Sequence, residues 1–233
     1  MDVRIGFFSF TEVTDPGQHR AYNAWHQLDH MPEQFTIPGV AHGQRWVATP
    51  ACKAARAVET PGFAAVDYLT LYLMGPPVPE TLAAFGSLAK SLHEAGRFFE
   101  HRRSHLSGPF EVVGRLAAGR ALVSDGAVPL RPNRGVYAVV EEGASALAPP
   151  TLRPLVDVPG VAGAWAFAAT SELQAGRWHP GDRRVTVCYL DEAPLSVASD
   201  LDAVVSCGAV FSGAVVFAGP FETITPWAWD WFD

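Results

Sequence analysis

Charge is scarce in this chain and concentrated nowhere. Only 18% of residues are charged, and the net charge of −7 is spread along the sequence. Without a basic block, the electrostatic footprint that binds nucleic-acid phosphates is missing, so no nucleic-acid partner is expected. Cysteine is nearly as sparse, since Cys52, Cys188 and Cys207 are an odd number without C-x-x-C spacing. That spacing excludes a disulfide framework and a zinc ribbon and leaves reduced thiols. No run of about 18 apolar residues is present to span a membrane. The opening MDVRIGFFSFTEV has a strand rhythm where a basic n-region and cleavage site would stand. A cytoplasmic protein with no membrane partner is expected. The absence of G-x-x-x-x-G-K-[ST], G-x-G-x-x-G and G-x-S-x-G disfavours P-loop, dinucleotide-binding and hydrolase-elbow chemistry.

What the chain has in quantity is apolar surface to bury. Its 233 residues are 48% hydrophobic, with mean hydropathy +0.10. That is enough for one compact core or two units of roughly 100 residues. VRIGFFSF (3–10) reads as an apolar strand. DPGQHRAYNAWHQLDHM follows as a helix, with Asp15 as its cap and Pro16 at its first position. Pro32 disfavours helical geometry in the residue before it, so the helix is predicted to stop near Met31. IPGV then turns into a second strand, VAHGQRWVAT. AVDYLTLYLM (65–74) makes a third, residues 78–105 a helix, and GPFEVVGRLA (108–117) a fourth. The order is βαββαβ, the ferredoxin-like unit.

The same order returns after residues 119–134. VPGV at Val158 to Val161 echoes the IPGV turn, and the offsets of three landmarks are similar: 159 − 38 = 121 for proline, 189 − 72 = 117 for tyrosine and 220 − 109 = 111 for proline. An internal repeat is therefore predicted, with units over 1–118 and 135–233 joined by a linker over 119–134. The class is α+β. Each four-stranded sheet has helices on one face and needs cover on the other, which two facing sheets provide.

Duplicated units of this kind resemble the dimeric α/β barrel superfamily, in which paired ferredoxin-like units enclose a pocket between their sheets. Within it, YNAWHQLDHMPEQFTIPGV (22–40) resembles a segment of EthD-like proteins reading approximately F-N-x-W-Y-x-x-x-H-x-P-E-x-x-x-x-P-G. Tyr22, Trp25, His26, His30, Pro32, Glu33, Pro38 and Gly39 occupy its positions, with Tyr22 and His26 departing from the commoner Phe and Tyr. The resemblance implies an intramolecular barrel whose relatives include monooxygenases, isomerases, cyclases, lyases and dehydratases, so the fold does not name a reaction.

Tyr22, His26 and His30 recur every four residues and share a helix face. Imidazole titrates near neutrality, so such a pair suits cofactor-independent proton transfer, with His30 as general acid or base and His26 assisting. The plainer alternative is a set of partly exposed helix residues, His30 bonding a carbonyl near the helix end. The i, i+4 histidines also have metal-ligand spacing. Glu33 or His42 could complete such a site, but no spacing requires it, no haem motif is readable, and no metal is assigned. On the third strand Tyr68, Thr70 and Tyr72 share one side and Leu69, Leu71 and Leu73 the other. With the leucines expected against the helices, Tyr68 and Tyr72 would face a pocket and orient an apolar ligand. Trp25 would help to shape it, as would His42, favoured over Arg45 because neighbours of opposite parity cannot both point inward.

His101 and His105 are read as a solvated helix end. TPWAWDWFD (225–233) carries too much apolar area to dangle, and either covers the barrel mouth or forms a homodimer interface. Loops 49–63 and 171–182 are the candidate lids. The function expected is a lyase, isomerase or cyclase acting on a small, largely apolar, aromatic or polyketide-like metabolite. A cofactor-free monooxygenase and a non-catalytic ligand-binding barrel are the alternatives.

Overall fold

Alternation of large apolar residues along IGFFSFTEV makes β1 (Ile5–Val13) a strand covered on both faces. A computed structural model places residues 2–143, 151–169, 182–208 and 210–233. β1 lies at the centre of the first half, between β4 (Tyr68–Met74) and β5 (Arg102–Ala117), and β2 (Val40–Val47) flanks β4. In the second half β6 (Gly135–Glu142) lies between β8 (Arg183–Leu190) and β9 (Ala214–Thr223), with β7 (Val161–Ala168) outside β8. β5 pairs with β7, and β9 pairs with β2 through Trp46 and Val47, so eight antiparallel strands close on themselves. The short β3 (Val58–Glu59) adds to β9. Six α-helices complete the described residues: α1 (His19–Trp25), α2 (Met31–Gln34), α3 (Pro50–Ala54), α4 (Val78–Glu94), α5 (Arg153–Asp157) and α6 (Pro194–Ser206). None of them is long and apolar enough to cross a membrane.

Side chains of both halves meet inside the ring. Phe8, Phe10, Trp46 and Leu71 from the first half pack into one cluster with Val187 and Phe217 from the second, all at most 2% exposed. Each such side chain contributes roughly 1.5–3 kcal/mol of burial. Leu69, Leu71 and Leu73 belong to this cluster, whereas Tyr68 and Tyr72 pack with Tyr22 and Phe85 on the helix side. One expectation is corrected here: the leucines point into the barrel, and Tyr68 and Tyr72 point to the helices. All seven residues of β4 are buried, so hydrophobic alternation could not tell its faces apart.

The halves match at irregular points. Bulges interrupt β2 between Val40 and His42 and β7 between Val161 and Gly163. The turns before them contain Gly39 at φ +93° and Gly160 at φ +87°. A side chain at Gly39 would also meet the Thr81 hydroxyl at 2.1 Å. Val40 pairs with Met74 and Val161 with Leu190, which relates β4 to β8 by an offset of 190 − 74 = 116. The tyrosine landmark at 117 is thus out of register by one, and a one-residue slip exchanges the faces of a strand. At that offset Thr70, across from Arg45, corresponds to Thr186, across from Ala166.

Three further elements differ from expectation. The first helix does not stop at Met31. A π turn over His26–His30, with Met31 N–H donating to His26 O, carries it through Pro32 to Gln34. The wider turn absorbs the hydrogen bond that proline cannot donate. The second helix ends at Glu94, followed by Gly96 at φ +68°, so Arg102 and His105 lie on β5 and not on a helix end. The 49–63 loop is tied down: Arg56 donates to Ala64 O at 2.9 Å and pairs with Glu59 at 2.9 Å. Residues 171–181 of the other expected lid lie outside the described residues.

Candidate active site

The first-half helix lays its polar row against the outer face of β4. Tyr22 is fully buried and His26 is 5% exposed. His26 Nδ1 is 3.2 Å from the Tyr22 hydroxyl and Nε2 is 3.3 Å from the Tyr72 hydroxyl, so both ring nitrogens are engaged. Beside them the Tyr68 hydroxyl accepts from Asn23 Nδ2 at 2.9 Å and meets His19 Nδ1 at 2.9 Å. Arg45, 5% exposed, reaches up from β2, donates from Nη2 to Asn23 Oδ1 at 3.0 Å, and lies over the Tyr22 and Tyr68 rings.

His30 is placed differently from His26. Its ring stacks on Trp25, with centroids 4.6 Å apart and planes 24° from parallel, and meets the Phe98 edge at 5.4 Å. Trp25 is itself held by a 2.8 Å bond from Nε1 to Arg97 O, and Arg102 sits over both Trp25 and Phe98. His30 Nδ1 is buried and has no hydrogen-bond partner; the same holds for Arg45 Nε and Nη1, Thr70 Oγ1 and both amide atoms of Gln34. A buried polar atom without a partner costs about 1–3 kcal/mol, so each of these atoms is one that a polar ligand can satisfy.

The electrostatics are one-sided. Burial, and then the charges of Arg45, His30 and Arg102, push His26 well below its ordinary value. Burial followed by the Arg102 charge takes His30 down to about 4, opposed by Asp29. Asp29 is already paired with Arg97. Burial raises the Tyr68 and Tyr72 phenols. At neutral pH the cluster therefore holds neutral imidazoles and protonated phenols between two guanidinium groups. Such a site can accept a proton at His30 and stabilise the anion left behind.

Of the residues expected at the site, Tyr22, Trp25, His26, His30, Tyr68 and Tyr72 come together between helix and sheet, outside the barrel. His42 does not. It pairs across from Leu73, on the leucine face, while Arg45 pairs across from Thr70 on the helix face. Arg45, Arg102, Asn23 and His19 were not anticipated. Asn23 was visible as the second residue of the resembling segment, and Arg45 as the other side of the parity choice; Arg102 was hidden by the misplaced helix end. Glu33 pairs with Arg97 at 2.7 Å on the surface. Among the described residues, no three His, Cys, Asp or Glu side chains group as a metal site.

The C-terminal aromatics dock on this same edge, against Val13, Val47 and Tyr68 at the strand ends. Phe232 stacks on His19 at 3.8 Å, and Trp229, 7% exposed, donates to Gln27 Oε1 at 3.1 Å.

No protein-family model and no curated sequence matches the chain. Three solved structures are similar in fold. A chlorite dismutase-like protein is 10% identical with a TM-score of 0.56, over 100% of this chain and 98% of its own. An anthrone oxidase-like protein is 11% identical with a TM-score of 0.47, over 96% and 92%. A monooxygenase-like protein from Lactobacillus acidophilus is 9% identical with a TM-score of 0.45, over 96% and 97%. These are dimeric α/β barrel proteins. The first of them supports the same barrel-type fold for this chain, and none of them supplies a reaction.

Proposed function

We propose that this chain is a small-molecule enzyme whose first-half site removes and returns a proton on an aromatic or polyketide-like metabolite without a cofactor, as a lyase, isomerase or cyclase. The observation that carries this is the buried, unpartnered Nδ1 of His30 in a cluster whose imidazoles are neutral. His30 takes the proton, and Arg102, the strongest charge acting on it, offsets the negative charge that develops on the substrate. His26, with both nitrogens engaged, positions Tyr22 and Tyr72. A neutral base held low by neighbouring cations gains basicity once an anion forms beside it, so the site favours the charge-separated state.

The monooxygenase reading has equal standing, because a substrate anion held between guanidinium groups is electron-rich and can react with oxygen. Both readings begin with the same deprotonation. We further propose that the chain comprises two fused ferredoxin-like units, 1–118 and 135–233, akin to EthD-like proteins, with the 119–134 stretch between them. The shared bulge positions support the duplication. The test is conversion of a panel of hydroxyaromatic and β-dicarbonyl compounds, followed by mass spectrometry. His30→Ala should lower turnover by roughly 10² or more, and full activity in that variant removes the assignment.

A further inference from the structure

Among the described residues, the guanidinium groups of Arg184 and Arg56, buried as deeply as that of Arg45, are paired with carboxylates. Arg184, 2% exposed, forms a two-pronged pair with Glu141 at 2.6 and 2.8 Å. Arg56, its side chain 1% exposed, pairs with Glu59 at 2.9 Å. Arg45 breaks the pattern. Its one hydrogen-bond acceptor is the neutral Asn23 amide oxygen, and Nε and Nη1 have none. Directly across the β2–β4 ladder stands Thr70, 1% exposed, with its hydroxyl also unpartnered. In the second half the matching pair is Ala166 and Thr186, and the charge is gone.

A buried charge left without a counter-ion is costly. The groups recorded against it are the Asn23 amide and the Tyr22 and Tyr68 rings, and none of them is a carboxylate. From this arrangement we infer that Arg45 and Thr70 form a subsite for a carboxylate on the ligand. One guanidinium balances one negative charge, its free N–H donors suit a carboxylate oxygen, and the threonine hydroxyl adds a donor. This deepens the proton-transfer reading and rests on it for the identity of the site. The substrate class becomes aromatic or enolisable monocarboxylic acids, anchored at Arg45 with the reacting position towards His30.

The test uses 2-hydroxybenzoate and 1-hydroxy-2-naphthoate against their primary amides, with binding to the full chain followed by calorimetry and NMR. In the wild-type protein at least one acid should bind about tenfold or more tighter than its amide, the size of a charge-assisted hydrogen bond. Arg45→Gln should erase that preference, and Thr70→Val should weaken the acid by about threefold. The inference is overturned if neither acid binds, if acid and amide bind alike, or if the preference survives Arg45→Gln. The wild-type comparison and Thr70→Val stand even if Arg45→Gln does not fold. His30→Ala should keep the preference. Loss of His30-dependent proton exchange with the preference intact would count against the proton-transfer reading alone.

Discussion

His26 joins the helix to the sheet through Tyr72, its Nε2 lying 3.3 Å from the phenol oxygen while Nδ1 meets Tyr22 at 3.2 Å. An imidazole bound at both nitrogens clamps the site and leaves the substrate to its neighbour. His26→Ala strands two buried hydroxyls, and should cost about 2–4 kcal/mol of stability in urea unfolding. His26→Gln, which can still bond to one of them, should lose less.

Stability should fall on mild acidification. The unfolded chain takes up a histidine proton near 6.5, but His30 in the folded site resists it until about 4, with burial and Arg102 opposing protonation and Asp29 favouring it. The unfolded state thus binds more protons in this window, and stability is lost as pH falls through it and unchanged above it. The slope is up to about 1.4 kcal/mol per pH unit for such a histidine. Urea midpoints at pH 7, 6 and 5 check this, and His30→Gln should flatten the difference.

Arg102 is the largest charge on His30 after burial. Arg102→Gln should therefore raise the His30 pKa, by up to roughly one unit for a partly screened neighbouring charge. NMR titration of the imidazole carbons reads this directly, and an unchanged value places the Arg102 charge elsewhere.

Docking of the C-terminal aromatics predicts that Trp229→Ala destabilises the protein by about 2–4 kcal/mol, whereas Trp227→Ala, at an exposed position, should change little. Thermal unfolding of the two variants separates them.

The strand rhythm of Phe8 and Phe10, the turns at Gly39 and Gly160 and the two GPF segments were legible because each depends on local backbone and alternation. The element order of both halves followed from them. The faces of β4 were not legible, since burial on both sides erases the alternation that would distinguish Tyr72 from Leu71. The choice of His42 over Arg45 shared that weakness, because it needed the pairing register with Thr70. Continuation of the helix past Pro32 depends on a π turn that no propensity marks. Arg102 reaches the site only because the chain reverses at Gly96, inside what read as one amphipathic run. The histidine row was found, but its side of the sheet came from tertiary pairing.

The most direct measurement of the central claim is deuterium uptake from heavy water into enolisable aromatic acids, followed by mass spectrometry with wild type and His30→Ala. Wild type should label or convert at least one substrate, roughly 10² or more faster than the variant. Equal rates in the two proteins, or ligand recovered unlabelled and unchanged from both, would contradict a proton-transfer role for His30.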